Sequence, residues 1–299
     1  MTAVTVALLG GAAWMAGQGI GLPPFGTPRP GPPVKASLLA DVQAVQPGGS
    51  VTLAVRLKID PQWHVYWRNP GQTGLPTRIE LTVPKGFKAG PVQVPPPVEL
   101  SSGGILSYAL HDPAVYLIDV QAPPDAPIGQ EVTFRAKVKW LACKVQCIPG
   151  QAELSLSLPV EPADRPARPA NVELFRAARA RLPVRADPDA ALSLTVRAEP
   201  PTVRPGQSFN LAVQVELADG YWIPAHASGA DSLAPTELFV DPPAGITTLE
   251  VVYPTGRARR LRYVARLRAK RDLQPGTVTI RGLLRYQLRP ADGSARPER

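Results

Sequence analysis

The chain has 299 residues, of which 37 are proline and 25 are glycine, a combined share nearly double the roughly 12% of average proteins. This abundance of Pro and Gly excludes a mostly helical protein, and an apolar content of 44% excludes a disordered one. At about 100 to 200 residues per domain the length predicts two domains, and the net charge of +9 arises mainly outside residues 36–160, where acidic and basic residues nearly balance.

Residues 1–33 predict a signal or anchor segment followed by a tether. Residues 3–22 are almost entirely small and apolar, as in the hydrophobic region of a signal peptide, although no Lys or Arg precedes them. A buried first strand is the alternative, and the many glycines weigh against it. Residues 21–33, GLPPFGTPRPGPP, contain too much proline for a helix or a strand. We therefore expect an exported protein, periplasmic or otherwise extracytoplasmic, which this leader either directs or anchors.

Short segments of alternating apolar and polar residues, bounded by Pro, Gly or Asp, follow the tether. Regularly spaced strands with this punctuation are typical of an antiparallel β-sandwich. We therefore predict that residues 34–162 form one such domain. The predicted strands include residues 50–59, 77–83, 114–120, 132–140 and 152–158.

Residues 163–189 differ in character and predict a linker. Prolines and arginines surround NVELFRAARARL, whose apolar residues fall at helical spacing, and Asn171 stands where an N-cap residue belongs. Strands resume at residues 192–198. We expect residues 190–299 to form a second sandwich.

The second half of the sequence repeats the first. VQPGGSVTLAV aligns with VRPGQSFNLAV at seven of eleven positions, and VTFRAKVKW aligns later with VTIRGLLRY. In this alignment Arg289 falls opposite Cys143 and Gly293 opposite Cys147. Only the first copy carries cysteines, so the second is predicted to have kept the fold without the chemistry.

Basic residues are most concentrated between residues 257 and 271, where they alternate with apolar ones. A period of two predicts a strand with a charged solvent face. A nucleic-acid or acidic-lipid site is the alternative, but no aromatic residues interleave on that face as a base-stacking surface requires. We therefore expect no nucleic-acid partner. The residues of this face are Arg260, Arg262, Arg266, Arg268 and Lys270.

The two cysteines, Cys143 and Cys147, lie at a predicted turn in WLACKVQCIPG. A disulfide that closes so short a loop contributes little by chain entropy, and labile disulfides are the exchange-active kind. An inert bridge in an exported domain is the second interpretation. Copper(I) binding by the same two thiolates is the third, with His64 and His111 as further ligands if the fold brings them near. Spacing alone leaves all three open.

Four motifs together point to a known family. They are WHVYWRNPGQTGLPTRIEL, PVQVPPP, SYALHDPAVYLI and WLACKVQCIPG. In this combination residues 34–160 resemble the N-terminal periplasmic domain of the thiol:disulfide interchange protein DsbD, in particular the DsbD/ScsB-like members of the disulfide bond corrector family. With the internal repeat, the resemblance implies an all-β protein of two tandem immunoglobulin-like antiparallel β-sandwiches, joined by a linker with a short helix.

The resemblance also implies roles for individual residues. Cys143 and Cys147 match the redox pair, and Cys147 matches the cysteine that exchanges with a partner thiol. Residues 105–108 match a cap hairpin that shields the pair, and Tyr66 and Trp67 match an aromatic strand that faces it. The predicted lining residues are Tyr66, Trp67, Ile105, Leu106, Tyr108, Trp140 and Lys144.

Several of these residues have a second interpretation. Lys144 either stabilises a thiolate or is a solvated turn lysine, and Trp140 either walls the site or belongs to the core. His64, His111 and His226 are assigned ordinary packing or surface roles.

The implied partners are a membrane DsbD/CcdA-like electron transporter or a thioredoxin-like domain as donor, and oxidised periplasmic thiol proteins as acceptors. The complexes are expected to be transient, and no cofactor is expected besides the disulfide. Such a protein-disulfide reductase component would serve processes such as cytochrome c biogenesis or copper tolerance. Because the chain carries neither the membrane domain nor the thioredoxin-like domain of the family, we expect its donor to be a separate chain. It also has fewer residues between the cysteines than the best-known enterobacterial form.

Overall fold

A computed structural model of the chain describes residues 31–164, 167–184, 191–224, 226, 235–255 and 258–291. Antiparallel strands dominate these residues and confirm the predicted all-β class. The predicted leader and most of the tether lie outside the described residues. Within the described part, no helix has the length and hydropathy that a membrane crossing requires.

In the part of the first half that the structure describes, ten strands form two antiparallel sheets. One sheet has the order β1-β2-β8-β5, and the other has the order β10-β9-β3-β7-β6 with β4 beside β9. The predicted strands agree with the observed ones to within a few residues. The observed strands are β1 (Val34–Ala40), β2 (Ser50–Ile59), β3 (His64–Gly71), β4 (Arg78–Thr82), β5 (Lys88–Ala89), β6 (Val98–Ser102), β7 (Ile105–Leu110), β8 (Ala114–Gln121), β9 (Glu131–Cys143) and β10 (Cys147–Pro159).

The core of the first half lies between these two sheets. In β9, Phe134 and Val138 are fully buried, whereas Lys137 and Lys139, on either side of Val138, are exposed. In β2, Leu53 and Leu57 are likewise fully buried and belong to the same cluster. Alternation with period two therefore produces one inner and one outer face on each sheet, as in a β-sandwich.

The predicted helix is present as α1 (Val172–Ala180). It buries Phe175 and Ala178 against the outer face of the first sheet. Asn171 precedes the helix, but its side chain makes no capping hydrogen bond; its amide instead donates to the Ala40 carbonyl oxygen at 2.9 Å. Asn171 therefore occupies the predicted N-cap position, but its side chain does not cap the helix, because a tertiary contact takes the side chain away from the helix terminus.

The second half repeats the strand order of the first. Its main sheet, β11-β12-β16-β15, corresponds strand by strand to β1-β2-β8-β5, and the β14–β17 pair corresponds to β4–β9. Within the described residues it has no counterpart of the β6–β7 hairpin. Its strands are β11 (Leu192–Glu199), β12 (Ser208–Leu217), β13 (Tyr221–Trp222), β14 (Glu237–Asp241), β15 (Ile246–Val252), β16 (Arg260–Ala269), β17 (Arg281–Arg285) and β18 (Arg289–Pro290).

The basic residues of β16 face solvent, as the alternation predicts. Three of the arginines form ion pairs with glutamates on other strands of the same sheet, so part of the local charge is balanced within the sheet. The pairs are Arg260–Glu216 at 3.1 Å, Arg262–Glu199 at 2.6 Å and Arg266–Glu250 at 2.6 Å.

The two halves meet at strand β3 and the β6–β7 hairpin. Phe239 of β14 is fully buried, and its ring centroid lies 6.4 Å from that of Trp67 and 5.6 Å from that of Tyr108. Beside these rings, Arg68 Nε lies 2.8 Å from Asp241 Oδ2. The second half thus packs against the inner side of β3.

Candidate functional site

The two cysteines form a disulfide at the tip of the β9–β10 hairpin. Cys143 ends β9, Cys147 begins β10, and the two lie directly opposite each other with their Cα atoms 4.1 Å apart. Lys144 and the next two residues form the loop, in which the Lys144 N–H donates to the Gln146 carbonyl oxygen at 3.2 Å. The strands run up to the cysteines themselves, so the disulfide is a cross-strand rung at the free end of a long hairpin.

The two cysteines differ in exposure. Cys143 is only 4% exposed, whereas Cys147 belongs to an exposed stretch. Val145 in the loop is 93% exposed and Ile148, next to Cys147, is 44% exposed. Cys147 is therefore the cysteine that a partner can approach, and it lies among apolar side chains suited to a protein contact.

His64 lies beside the cysteines through the sheet register. At the start of β3 it is directly opposite Cys143 of β9, and the next register pair, Val65 and Ala142, belongs to the core. Directly opposite residues in an antiparallel pair project from the same face. Cys147, Cys143 and His64 therefore form one row on the outer face of the sheet. The sequence alone gave His64 an ordinary packing role. It did not reveal that His64 lies beside Cys143, because alternation within one strand says nothing of its register with another strand.

The imidazole of His64 is half-buried among other rings. Its ring centroid lies 5.3 Å from that of Tyr66 and 5.9 Å from that of His111. The Nδ1 atom of His111 lies 3.2 Å from the Trp63 carbonyl oxygen. Burial, followed by the proximity of His111, lowers the pKa of His64 below its usual 6.5, so the ring is neutral at neutral pH.

Tyr66, a predicted lining residue, lies on the same outer face as His64 but is buried. The loop after β3 covers it: the Thr77 N–H donates to the Tyr66 carbonyl oxygen at 3.2 Å, and Gly74 lies directly against the ring. The GQTGLPT part of the motif thus forms a cover over Tyr66.

Four other predicted lining residues belong to the core cluster between the sheets, on the opposite face from the cysteines. Because side chains alternate along a strand, β3 directs Tyr66 outward and Trp67 inward. The indole N–H of Trp67 donates to the Pro95 carbonyl oxygen at 3.0 Å. The four inward residues are Trp67, Leu106, Tyr108 and Trp140.

The predicted cap segment, residues 105–108, lies at the far end of strand β3 from Cys143. Leu110 at one end of β7 is opposite Val65, whereas Ile105 at the other end follows the Gly103–Gly104 turn and is 48% exposed. Ile105 lies five residues, about 16 Å of strand, from Leu110, so the register does not bring it to the disulfide. Tyr108 lies nearer along the strand, but its side chain belongs to the core. Lys144, by contrast, is exposed in the loop between the cysteines.

Within the described residues, no group of three or more His, Cys, Asp or Glu side chains is placed to hold a metal ion. Of the two histidines that the copper(I) interpretation names, His64 lies directly opposite Cys143 and His111 lies beside His64.

The cover over Tyr66 predicts a strong effect for Gly74→Ala. Gly74 has a φ of +94°, and a Cβ atom there would overlap the Tyr66 ring. We expect a loss of about 1–3 kcal/mol from backbone strain, with a further loss from displacing the ring. Gly129→Ala is the matched control, because Gly129 has a φ of +81° but no atom within 4 Å of the added carbon. Urea unfolding of both variants tests this, and equal losses would contradict the packing role of the cover.

Residues 35–159 match the family model for the N-terminal domain of the thiol:disulfide interchange protein DsbD. The match lies entirely in the first half and includes the disulfide hairpin, His64 and the cover over Tyr66. It confirms the resemblance seen in the four motifs. Residues 35–159 are therefore similar to this N-terminal domain over its family model, and the matched range includes the cysteine pair, Cys143 and Cys147.

A solved structure shares the fold over most of the chain. The N-terminal periplasmic domain of ScsB from Proteus mirabilis matches with a TM-score of 0.55 and 19% identity, over 83% of this chain and 89% of that one. The similarity therefore extends into the second half. Collagen adhesin (CNA) from S. aureus matches over 85% of this chain and 86% of that one, at 8% identity and with a TM-score of only 0.15. No curated protein sequence matches the chain significantly.

Proposed function

We propose that residues 34–162 act in the periplasm as a thiol:disulfide exchange module, with residues 163–189 as a linker and residues 190–299 as a supporting second sandwich. The module accepts electrons from a thioredoxin-like domain or a membrane DsbD/CcdA-like transporter and reduces oxidised periplasmic proteins. The observation that carries the proposal is the disulfide at the hairpin tip, with Cys143 buried and Cys147 exposed. The family match over this hairpin supports it.

In the reduced module, Cys147 is the attacking residue. Its thiolate attacks one sulfur of the acceptor's disulfide, a bond forms between Cys147 and that sulfur, and the acceptor's other sulfur leaves as a thiolate. The Cys143 thiol then loses its proton and attacks Cys147 Sγ, which reforms the Cys143–Cys147 bond and releases the second acceptor thiol. Two electrons pass from the module to the acceptor. Donor thiols restore the module by the same steps in reverse.

Donor and acceptor compete for the same surface in this scheme. Both must reach Cys147 at the hairpin tip, where Val145 and Ile148 provide only a small exposed apolar area. Small interfaces of this kind support weak and short-lived complexes. The two partners are therefore expected to bind one at a time.

The reduction potential of the pair tests the proposal. We expect a value near or above about −250 mV, in the range of exchange proteins, when the full chain is equilibrated in thiol redox buffers and its free thiols are counted. The Cys143→Ser, Cys147→Ser double variant is the blank, because the chain has two cysteines in all. A value well below about −300 mV would mark a structural bridge and overturn the exchange function.

A further inference from the structure

We propose that His64 is the group that takes the proton from the Cys143 thiol when the disulfide forms and returns it when the disulfide is broken. This inference rests on the proposed exchange function and adds a residue to its mechanism.

The first support is position. His64 and Cys143 are a directly opposed cross-strand pair on the outer face of the sheet, and such pairs have Cβ atoms about 4.5–5.5 Å apart. An imidazole extending from that distance can reach the sulfur of its neighbour. Cys143 is buried, so bulk water has limited access to its thiol and a neighbouring side chain is the available proton acceptor.

The second support is the charge state of the ring. The groups that face His64 are Tyr66 on its own strand, His111 beyond the end of β7 and Cys143 on β9. Burial and His111 both lower the pKa of His64. At neutral pH the ring is therefore an unprotonated acceptor, as a general base must be.

The third support comes from the internal repeat. In the second copy Trp222 takes the position of His64 and Arg289 that of Cys143, and these two residues are likewise a register pair, between β13 and β18. The strand pairing therefore forms without a histidine. The copy that lacks the thiol also lacks the imidazole, as expected if the two side chains work together.

In the mixed disulfide between Cys147 and an acceptor, the His64 imidazole removes the Cys143 proton. The resulting thiolate attacks Cys147 Sγ, the Cys143–Cys147 bond forms, and the bond from Cys147 to the acceptor breaks. The acceptor leaves as a thiolate, which takes the proton from the imidazolium or from water. In the reverse direction the imidazolium protonates Cys143 as it leaves.

The test separates the two thiol steps kinetically. The reduced full chain is mixed with an aromatic disulfide reagent that releases one coloured thiolate when Cys147 attacks and a second when Cys143 closes the disulfide. In His64→Gln we expect the second phase to be about 100-fold slower at neutral pH and the first to be unchanged. His226→Gln, a histidine of the second half that stacks on Tyr253, is the control and is expected to leave both phases unchanged.

The pH profile and a rescue distinguish proton transfer from a structural effect. In the natural protein the second phase should slow as the pH falls through the pKa of His64, and His111→Gln should move this inflection to higher pH. In His64→Gln the inflection should vanish, and the rate should recover at alkaline pH where the thiol ionises unaided. Added imidazole should restore the second phase in His64→Ala. An unchanged second phase in His64→Gln, or absence of rescue, overturns the role of His64. A missing first phase in the natural protein overturns the exchange function itself.

Discussion

Cys143→Ser is expected to trap a mixed disulfide at Cys147. With excess glutathione disulfide, the reduced natural protein should return to its own disulfide, whereas Cys143→Ser should accumulate a single glutathione adduct. The reason is that Cys147 is exposed and can still attack, but the buried thiol that would release the adduct is gone. Intact-mass measurement under non-reducing conditions follows the adduct.

Cys147→Ser is the matched control for this trap. This variant keeps one thiol, that of Cys143. Cys143 lies on the same face of the sheet as Cys147 but is buried. Because exchange requires access to the attacking sulfur, its adduct should form at least about tenfold more slowly. Equal rates in the two variants would contradict the assignment of Cys147 as the exchanging residue. Lack of reaction in both would favour an inert bridge.

Phe239→Ala is expected to cause the largest loss of stability among the contacts between the halves. Phe239 is fully buried and packs edge-on against Tyr108 and near Trp67. Removing a buried phenylalanine side chain costs about 3–5 kcal/mol. The cavity would open behind β3, beside Trp67 and Tyr108.

Chemical unfolding followed by tryptophan fluorescence measures this effect, since Trp67 at the contact is one of the five tryptophans of the chain. Val196→Ala is a suitable control, because Val196 is 55% exposed on β11; a change at such a site is expected to stay within about 0.5 kcal/mol. If both variants unfold at the same denaturant concentration as the natural protein, Phe239 does not hold the halves together.

The interface between the halves also fixes the segment that follows β3. Asn69 Nδ2 donates to the Val240 carbonyl oxygen at 2.6 Å, and Gln72 donates to the Leu249 carbonyl oxygen. The Gln72 N–H also donates to the Leu106 carbonyl oxygen at 2.8 Å. The RNPGQ part of the motif therefore joins the β7 strand to the second half, which explains why polar residues and turns occupy this part of an otherwise apolar strand.

Local patterns in the sequence determined the strands, the short helix, the internal repeat and the position of the cysteines at a turn. Each of these depends on neighbours in the chain: alternation with period two, proline and glycine punctuation, or helical spacing. For this reason β2 was predicted at its observed bounds and the basic residues of β16 were placed on the solvent face.

Only the tertiary structure decided which residues share the cysteine face. Alternation shows that Tyr66 and Trp67 point in opposite directions, but it does not show which direction is inward. It also says nothing of the register between β3 and β9. That register places His64 against Cys143 and leaves residues 105–108 at the far end of the sheet. Likewise, no local pattern indicates that Phe239 packs behind Trp67, because 172 residues of chain separate the two and long-range contacts depend on how the whole chain folds.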